Sequence, residues 1–160
     1  MDRILEILED NARISIKDLA KLTGKKQKEV EKHIKKLERK GIIVKYKTII
    51  NEALTKEENN VKALIEVNLT PQKNVGFDYV AERIYRFPEV TSCYLLSGTY
   101  DLLLVVEGKN IHTVANFVAS KLASLDHVQG TTTHFLLKKY KEDGIIFKKS
   151  KDVKRLAITY

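Results

Sequence analysis

Between residues 61 and 140 the hydrophobic pattern switches repeatedly between a period of two and a period near 3.6, and the order of the switches leaves few folds open. Val61 to Leu69 reads as a strand ended by Thr70-Pro71. Phe77, Val80, Ala81, Ile84 and Tyr85 then recur at helical spacing up to Phe87-Pro88. Val90 to Leu96 and Tyr100 to Val106 read as two strands around a Ser97–Thr99 turn, with Gly98 supplying conformational freedom. Ile111, Val114, Ala115, Val118 and Leu122 mark a second amphipathic helix. Val128 to Tyr140 reads as one long strand, with Thr131, Thr133, Phe135 and Leu137 on one face. The order β-α-β-β-α-β is that of a ferredoxin-like domain, an antiparallel four-stranded sheet with two helices on one face. Ala63, Ile65 and Val67 on one side, and Leu64, Leu69 and neighbours on both, leave apolar surface to hide on the uncovered face. A homo-oligomer built through this domain is therefore expected.

The first fifty residues have a different grammar. Ile4, Leu5, Ile7 and Leu8 predict a helix from about Asp2 to Asp10. Ser15, with Asp18 three residues later, looks like an N-cap for a second helix carrying Ile16, Leu19, Ala20 and Leu22, and Thr23-Gly24 ends it. A third helix runs from about Lys26 to Lys40 on the apolar stripe Val30, Ile34 and Leu37, and Gly41 stops it. Three short helices with a tight turn before the third make a helix-turn-helix, winged-helix-like unit. Ile42 to Ile50 is β-branched and aromatic, a strand or an extended connector. The resulting division is a head at 1–50, a polar linker at 51–60, the second domain at 61–145 and an arm at 146–160 that can add an edge strand.

Charge follows the same division. Residues 1–50 carry 14 basic and 8 acidic side chains, residues 51–140 carry 9 and 10, and residues 141–160 carry 6 and 3, so most of the formal +8 sits in the head. A basic head on a neutral body suits a polyanionic partner. In a helix-turn-helix the start of the last helix enters the major groove. Lys25, Lys26, Gln27, Lys28, Glu31, Lys32, Lys35 and Lys36 lie on or just before that helix and off its apolar stripe, which makes them the candidate contacts to double-stranded DNA. Lysines act there as point charges on phosphate, and Gln27 is the candidate for base readout. A helix lying on a membrane would show a wide apolar face with Trp or Phe, which this one lacks.

Other chemistries find little support. The longest apolar stretches, such as Leu102 to Val106, are too short to span a bilayer. Met1 leads straight into Asp2 and Arg3 without the apolar core of a signal peptide, and a cytoplasmic protein is expected. The single cysteine, Cys93, excludes an internal disulfide. His33, His112, His127 and His134 show no metal-ligand spacing, no Gly-rich phosphate loop occurs, and no catalytic constellation stands out, so neither an enzyme nor a cofactor is expected.

The chain resembles the leucine-responsive regulatory protein/AsnC family of prokaryotic transcription regulators over about residues 2–145. The resemblance is carried by Ile4 to Ser15, by Asp18-Leu19-Ala20 and by Val30 through Ile43 in the head. In the second domain it is carried by Gly98-Thr99-Tyr100-Asp101, which matches a Gly-x-Tyr-Asp hairpin, and by Thr131-x-Thr133 in the last strand. It implies a DNA-binding head and an effector-binding, oligomerising domain that forms dimers, often tetramers or octamers, and commonly senses an amino acid. Two departures stand out: Lys26 replaces a usual Ser at the start of the third helix, and His33 replaces a usual Arg. Siroheme decarboxylases resemble the same regulators, but the pocket histidine they carry near the Ser92-Cys93-Tyr94 position is not matched. An effector-free, architectural DNA-binding protein is a further alternative.

The family's effector site lies at the hairpin, between subunits. Asp101 opens a strand otherwise made of Leu and Val, so it is either a turn-shaping residue or a carboxylate placed for a cation. Gly98 lets backbone amides approach a ligand. A zwitterionic effector is thus expected at Ser97, Gly98, Tyr100 and Asp101, with Thr131 and Thr133 nearby.

Overall fold

The computed structural model describes residues 2–55, 60–70 and 76–147. The chain divides into two compact units, residues 1–50 and 51–160. The first unit holds α1 (Arg3–Asp10), α2 (Ile16–Thr23) and α3 (Gln27–Arg39). Each start has its own cause. The Asp2 side chain accepts the N–H of Ile4 at 3.0 Å and caps α1. The Ser15 hydroxyl accepts the N–H of Asp18 at 3.1 Å and donates to the Asp18 carboxylate at 2.6 Å, capping α2. Gly24 ends α2 at φ +66°, a conformation that a Cβ would oppose, and the following Lys25 N–H reaches back to the Ala20 carbonyl.

Ile4, Leu19, Ala20, Val30 and Ile34 form the core of this unit, with Ile7, Leu8, Ile14, Ile16 and Ile43 packed around them. Leu22, expected on the buried face of α2, is instead 62% exposed. It stands three residues past Leu19 but only two before the Gly24 turn, where the helix has already turned that position outward. Residues 44–50 form no regular strand, and the Tyr46 hydroxyl donates to Glu38 on α3 at 3.0 Å. The connector reading of this stretch therefore holds.

The second unit opens with a short 3-10 turn, Glu52–Leu54, and continues with β1 (Val61–Leu69), α4 (Phe77–Tyr85), β2 (Val90–Leu95), β3 (Leu102–Gly108), α5 (Ile111–Phe117) and β4 (Val128–Phe135). The sheet order is β2-β3-β1-β4, antiparallel throughout. Ala63, Ile65, Val67 and Leu69 from β1 and Leu102, Leu104 and Val106 from β3 face the helices and bury with Val80, Ile84, Val114, Phe117 and Leu122. Leu69 thus belongs wholly to the helix side. The other sheet face carries Leu64, Leu103, Val105 and Tyr94, interrupted by a Glu66–His134 contact of 3.2 Å. Its apolar surface is smaller than the sequence pattern suggests.

Three boundaries differ from expectation. β4 ends at Phe135, the partner of Ala63; after one more bond, from the Leu136 N–H to the Lys62 carbonyl, the chain leaves β1. Leu137 is therefore 94% exposed and not part of a strand face. Lys139 is drawn instead to Glu52 and Glu142, and β5 (Lys141–Glu142) and β6 (Ile145–Ile146) form a hairpin on Asp143-Gly144. Both turn residues have positive φ, 45° and 81°, the type I′ signature. The β2–β3 link runs from Leu96 to Asp101, longer than a Ser97–Thr99 turn. The second helix changes hydrogen bonding at Val118–Leu122, where the Ala123 N–H reaches Val118 five residues back. Most of the arm expected at 146–160 and part of the linker at 51–60 lie outside the described residues.

Candidate nucleic-acid interface and the 96–101 hairpin

Val30, Ile34 and Leu37 turn one stripe of α3 into the core, so the opposite side must face solvent. Lys25, Lys26, Gln27, Lys28, Glu31, Lys32, Lys35 and Lys36 are all exposed. About the helix axis, Lys28, Lys32 and Lys35 lie directly opposite the buried stripe, with Glu31 and Lys36 on either flank. Gln27 sits at the first helical position, nearer the buried edge. Among the described residues no carboxylate pairs with any of these six lysines. The second unit contrasts with this: Lys62 lies between Glu52 at 2.8 Å and Glu107 at 3.2 Å, and Lys121 holds Glu89 at 2.5 Å.

Lys26 stands at the N-cap of α3 with no acceptor in its side chain. The missing cap costs roughly 0.5–2 kcal/mol relative to Ser. Glu29 offsets part of it by accepting the Lys26 N–H at 3.3 Å, a carboxylate at the favourable end of the helix dipole. The exposed positive charge at this end is unfavourable to the helix and favourable to an incoming phosphate.

His33 stands where an Arg is usual in the family that the chain resembles. Its ring Nε2 instead contacts the Asp2 carboxylate, whose other oxygen caps α1. This bond holds the Asp2 carboxyl below the usual carboxylate range, against the opposing effect of burial. Spacing alone did not reveal the pair, because 31 residues separate its members.

At the hairpin, Asp101 is tied to β1 twice. Its N–H donates to the Val67 carbonyl at 3.0 Å, and its carboxylate Oδ2 accepts the Leu69 N–H at 2.7 Å. Its carbonyl takes the Leu96 N–H at 2.9 Å, closing the loop. Ser97, Gly98 and Thr99 are exposed at the tip, and Tyr100 is half-buried. A Cβ built on Gly98 would meet nothing within 4 Å, but its φ of +157° is a conformation that itself favours glycine.

Thr131 and Thr133 lie across β1, opposite Val67 and Ile65. Thr131 is thus two strands from the Asp101 level, about 10 Å at ordinary strand spacing, and Thr133 lies a further pair along. Both are half-buried on the helix-covered face. Beside the end of β1, the Thr70 N–H donates to the carbonyl of His127, which has φ 77°. A positive φ at a histidine has no signature in the sequence. Among the described residues no group of His, Cys, Asp and Glu can hold a metal ion, and no helix is long and apolar enough to cross a membrane.

Comparison with known proteins agrees with this architecture. Residues 3–44 match the model of a winged helix-turn-helix DNA-binding domain, and residues 62–146 match the Lrp/AsnC ligand binding domain. The HTH-type transcriptional regulator YugG of Bacillus subtilis is 47% identical over 156 residues, covering 98% of this chain and 94% of that protein. The HTH-type transcriptional regulator LysM of Saccharolobus solfataricus is 34% identical, covering 85% and 90%. Among solved structures, the regulator NMB0573 of Neisseria meningitidis in complex with L-Met superposes with a TM-score of 0.70 at 26% identity, covering 89% of this chain and 93% of that one. Two domain models in tandem and near-full-length relatives place the chain among DNA-binding transcriptional regulators: it belongs to the Lrp/AsnC family.

Proposed function

We propose that this regulator grips DNA through the exposed lysines on and before α3 and responds to an amino acid bound at the 96–101 hairpin, acting by binding and not by catalysis. The observation that carries the DNA contacts is the set of six exposed lysines, Lys25, Lys26, Lys28, Lys32, Lys35 and Lys36, that no carboxylate of the described residues neutralises. Unpaired lysines on a helix-turn-helix recognition helix release counterions when they meet phosphate. Gln27 is the side chain for base readout.

The effector reading is supported by the Asp101 carboxylate beside the exposed tip and by the L-Met complex of the Neisseria regulator. The Asp101 Oδ1 atom accepts no hydrogen bond among the described residues and is the atom for a ligand ammonium. Thr131 and Thr133 are the outer candidates of this site. A second copy of the chain covers the open sheet face around Leu64, Leu103, Val105 and Tyr94, and effector binding shifts that assembly.

The test is titration of DNA binding at several salt concentrations, with each amino acid added in turn. Affinity that falls steeply with salt and changes with one amino acid supports the reading. Salt-dependent affinity indifferent to every amino acid makes this an effector-free DNA-binding protein.

A further inference from the structure

The Asp2 side chain ties the start of α1 to α3. Oδ1 accepts the Ile4 N–H at 3.0 Å, and Oδ2 contacts Nε2 of His33. Both side chains remain partly open to solvent, 30% for Asp2 and 32% for His33. The pair lies beside the candidate DNA contacts: Lys25 acts electrostatically on Asp2, and His33 follows Lys32 directly on α3. Among the described residues the other charged neighbours are paired or flanking. Arg3 is paired with Glu6 at 2.9 Å, Glu29 stands one turn before His33 and is bonded to the Lys26 N–H, and Lys36 stands one turn after it.

We propose that Asp2 is a positioning residue for DNA binding: it orients the His33 imidazole so that the head takes up a proton on that ring when it meets DNA. With a neutral ring, Nε2–H donates to Asp2, Nδ1 is an acceptor that no phosphate can use, and the pair carries one negative charge into a surface meant for an anion. With a protonated ring the pair is neutral, the bond to Asp2 is charge-assisted, and Nδ1–H becomes a donor. The negative potential of DNA favours the second state. His is the side chain suited to such a change near neutral pH.

This proposal rests on the reading of α3 as the recognition helix, and the experiment separates the two. A fluorescent mixed-sequence duplex is titrated with the full chain at several pH values between about 8 and 6, for the wild type, His33→Gln, Asp2→Asn and Lys28→Ala/Lys32→Ala. One proton taken up per head sets a ceiling of about tenfold in affinity per pH unit, and a rise of about threefold to tenfold is expected across the range. In His33→Gln the amide can still donate to Asp2 but takes up no proton, so this rise disappears. In Asp2→Asn the α1 cap is kept and the rise moves to lower pH. Lys28→Ala/Lys32→Ala keeps the pH dependence and has a flatter salt dependence. A His33→Gln profile as steep as wild type overturns the proposal, as does an equal loss of affinity at every pH, which marks a merely structural prop. Unchanged affinity and salt dependence in the lysine variant overturns the recognition-helix reading instead.

Discussion

The Asp101 carboxylate accepts the backbone N–H of Leu69 at 2.7 Å, across 32 residues of sequence, just where the β1 ladder shifts register between Asn68 and Leu69. A bulged strand end leaves a backbone donor without a ladder partner, and this acid supplies the acceptor. The same side chain is the candidate effector carboxylate, so truncation removes two things at once. Asp101→Ala should lower stability by about 1–3 kcal/mol by leaving the Leu69 N–H unpaired. Asp101→Asn keeps an acceptor for that N–H and removes only the charge. It should melt close to wild type, bind DNA normally and lose the response to an amino acid. An effector response retained in a folded Asp101→Asn protein would leave Asp101 as a turn residue alone.

The lysines of α3 make a quantitative expectation. Each phosphate contact contributes about 0.9 to the slope of log affinity against log salt. Lys28→Ala/Lys32→Ala should therefore flatten the slope by about 1.8 if both contact phosphate. Both side chains are exposed and unpaired among the described residues, so the fold should be indifferent to the change. Gln27→Ala should leave the salt slope intact and narrow the gap between specific and mixed-sequence DNA.

The element order was legible because each element carries its own period. β1 has hydrophobic side chains at 63, 65, 67 and 69, and α3 has them at 30, 34 and 37, patterns that admit one local structure each. What was not legible depended on partners remote in sequence. β4 leaves β1 after the Ala63–Phe135 pair while Lys62 and Val61 still continue β1 alongside β3, and nothing in Leu136–Tyr140 announces that departure. Leu22 matches an apolar helical position, yet the turn at Gly24 leaves it outside. The exposure of the α3 lysines was readable from the stripe opposite them. The ties from His33 to Asp2 and from Asp101 to Leu69 were not, since hydrogen bonds carry no periodicity.

Acid should loosen the second unit in part through Glu89. The bond from Lys121 holds its carboxyl below the usual 4.5, with burial opposing. A folded-state value below the unfolded one means that this stabilisation is complete above the unfolded value and is lost as pH falls through the folded one. Glu89→Gln should therefore reduce the difference in denaturant midpoint between neutral pH and pH below 4.5. The loss should fall at neutral pH, because the amide carries no charge for Lys121 and leaves the buried Oε2 position without a partner. An unchanged pH dependence would assign the acid sensitivity of this unit to other carboxylates, Glu52 first among them.

The open sheet face gives the sharpest expectation about assembly. Leu103 lies at its centre, directly opposite Glu66 on β1 and Tyr94 on β2. Within one subunit Leu103→Lys places an ammonium across from a carboxylate, an arrangement that antiparallel sheets tolerate and that contributes about 0.2–1 kcal/mol. Between two subunits the outcome reverses. Sheets stacked face to face close to about 10 Å, with side chains interdigitated and water expelled. A lysine and its copy from the partner would then meet in a layer with too few acceptors for both. The full-length Leu103→Lys protein should keep its circular dichroism spectrum and sediment as a smaller species than wild type, with weaker DNA binding because two heads no longer act together. A variant that sediments like wild type would show that the copies meet elsewhere, leaving this face, with its Glu66–His134 contact, as solvent-exposed sheet.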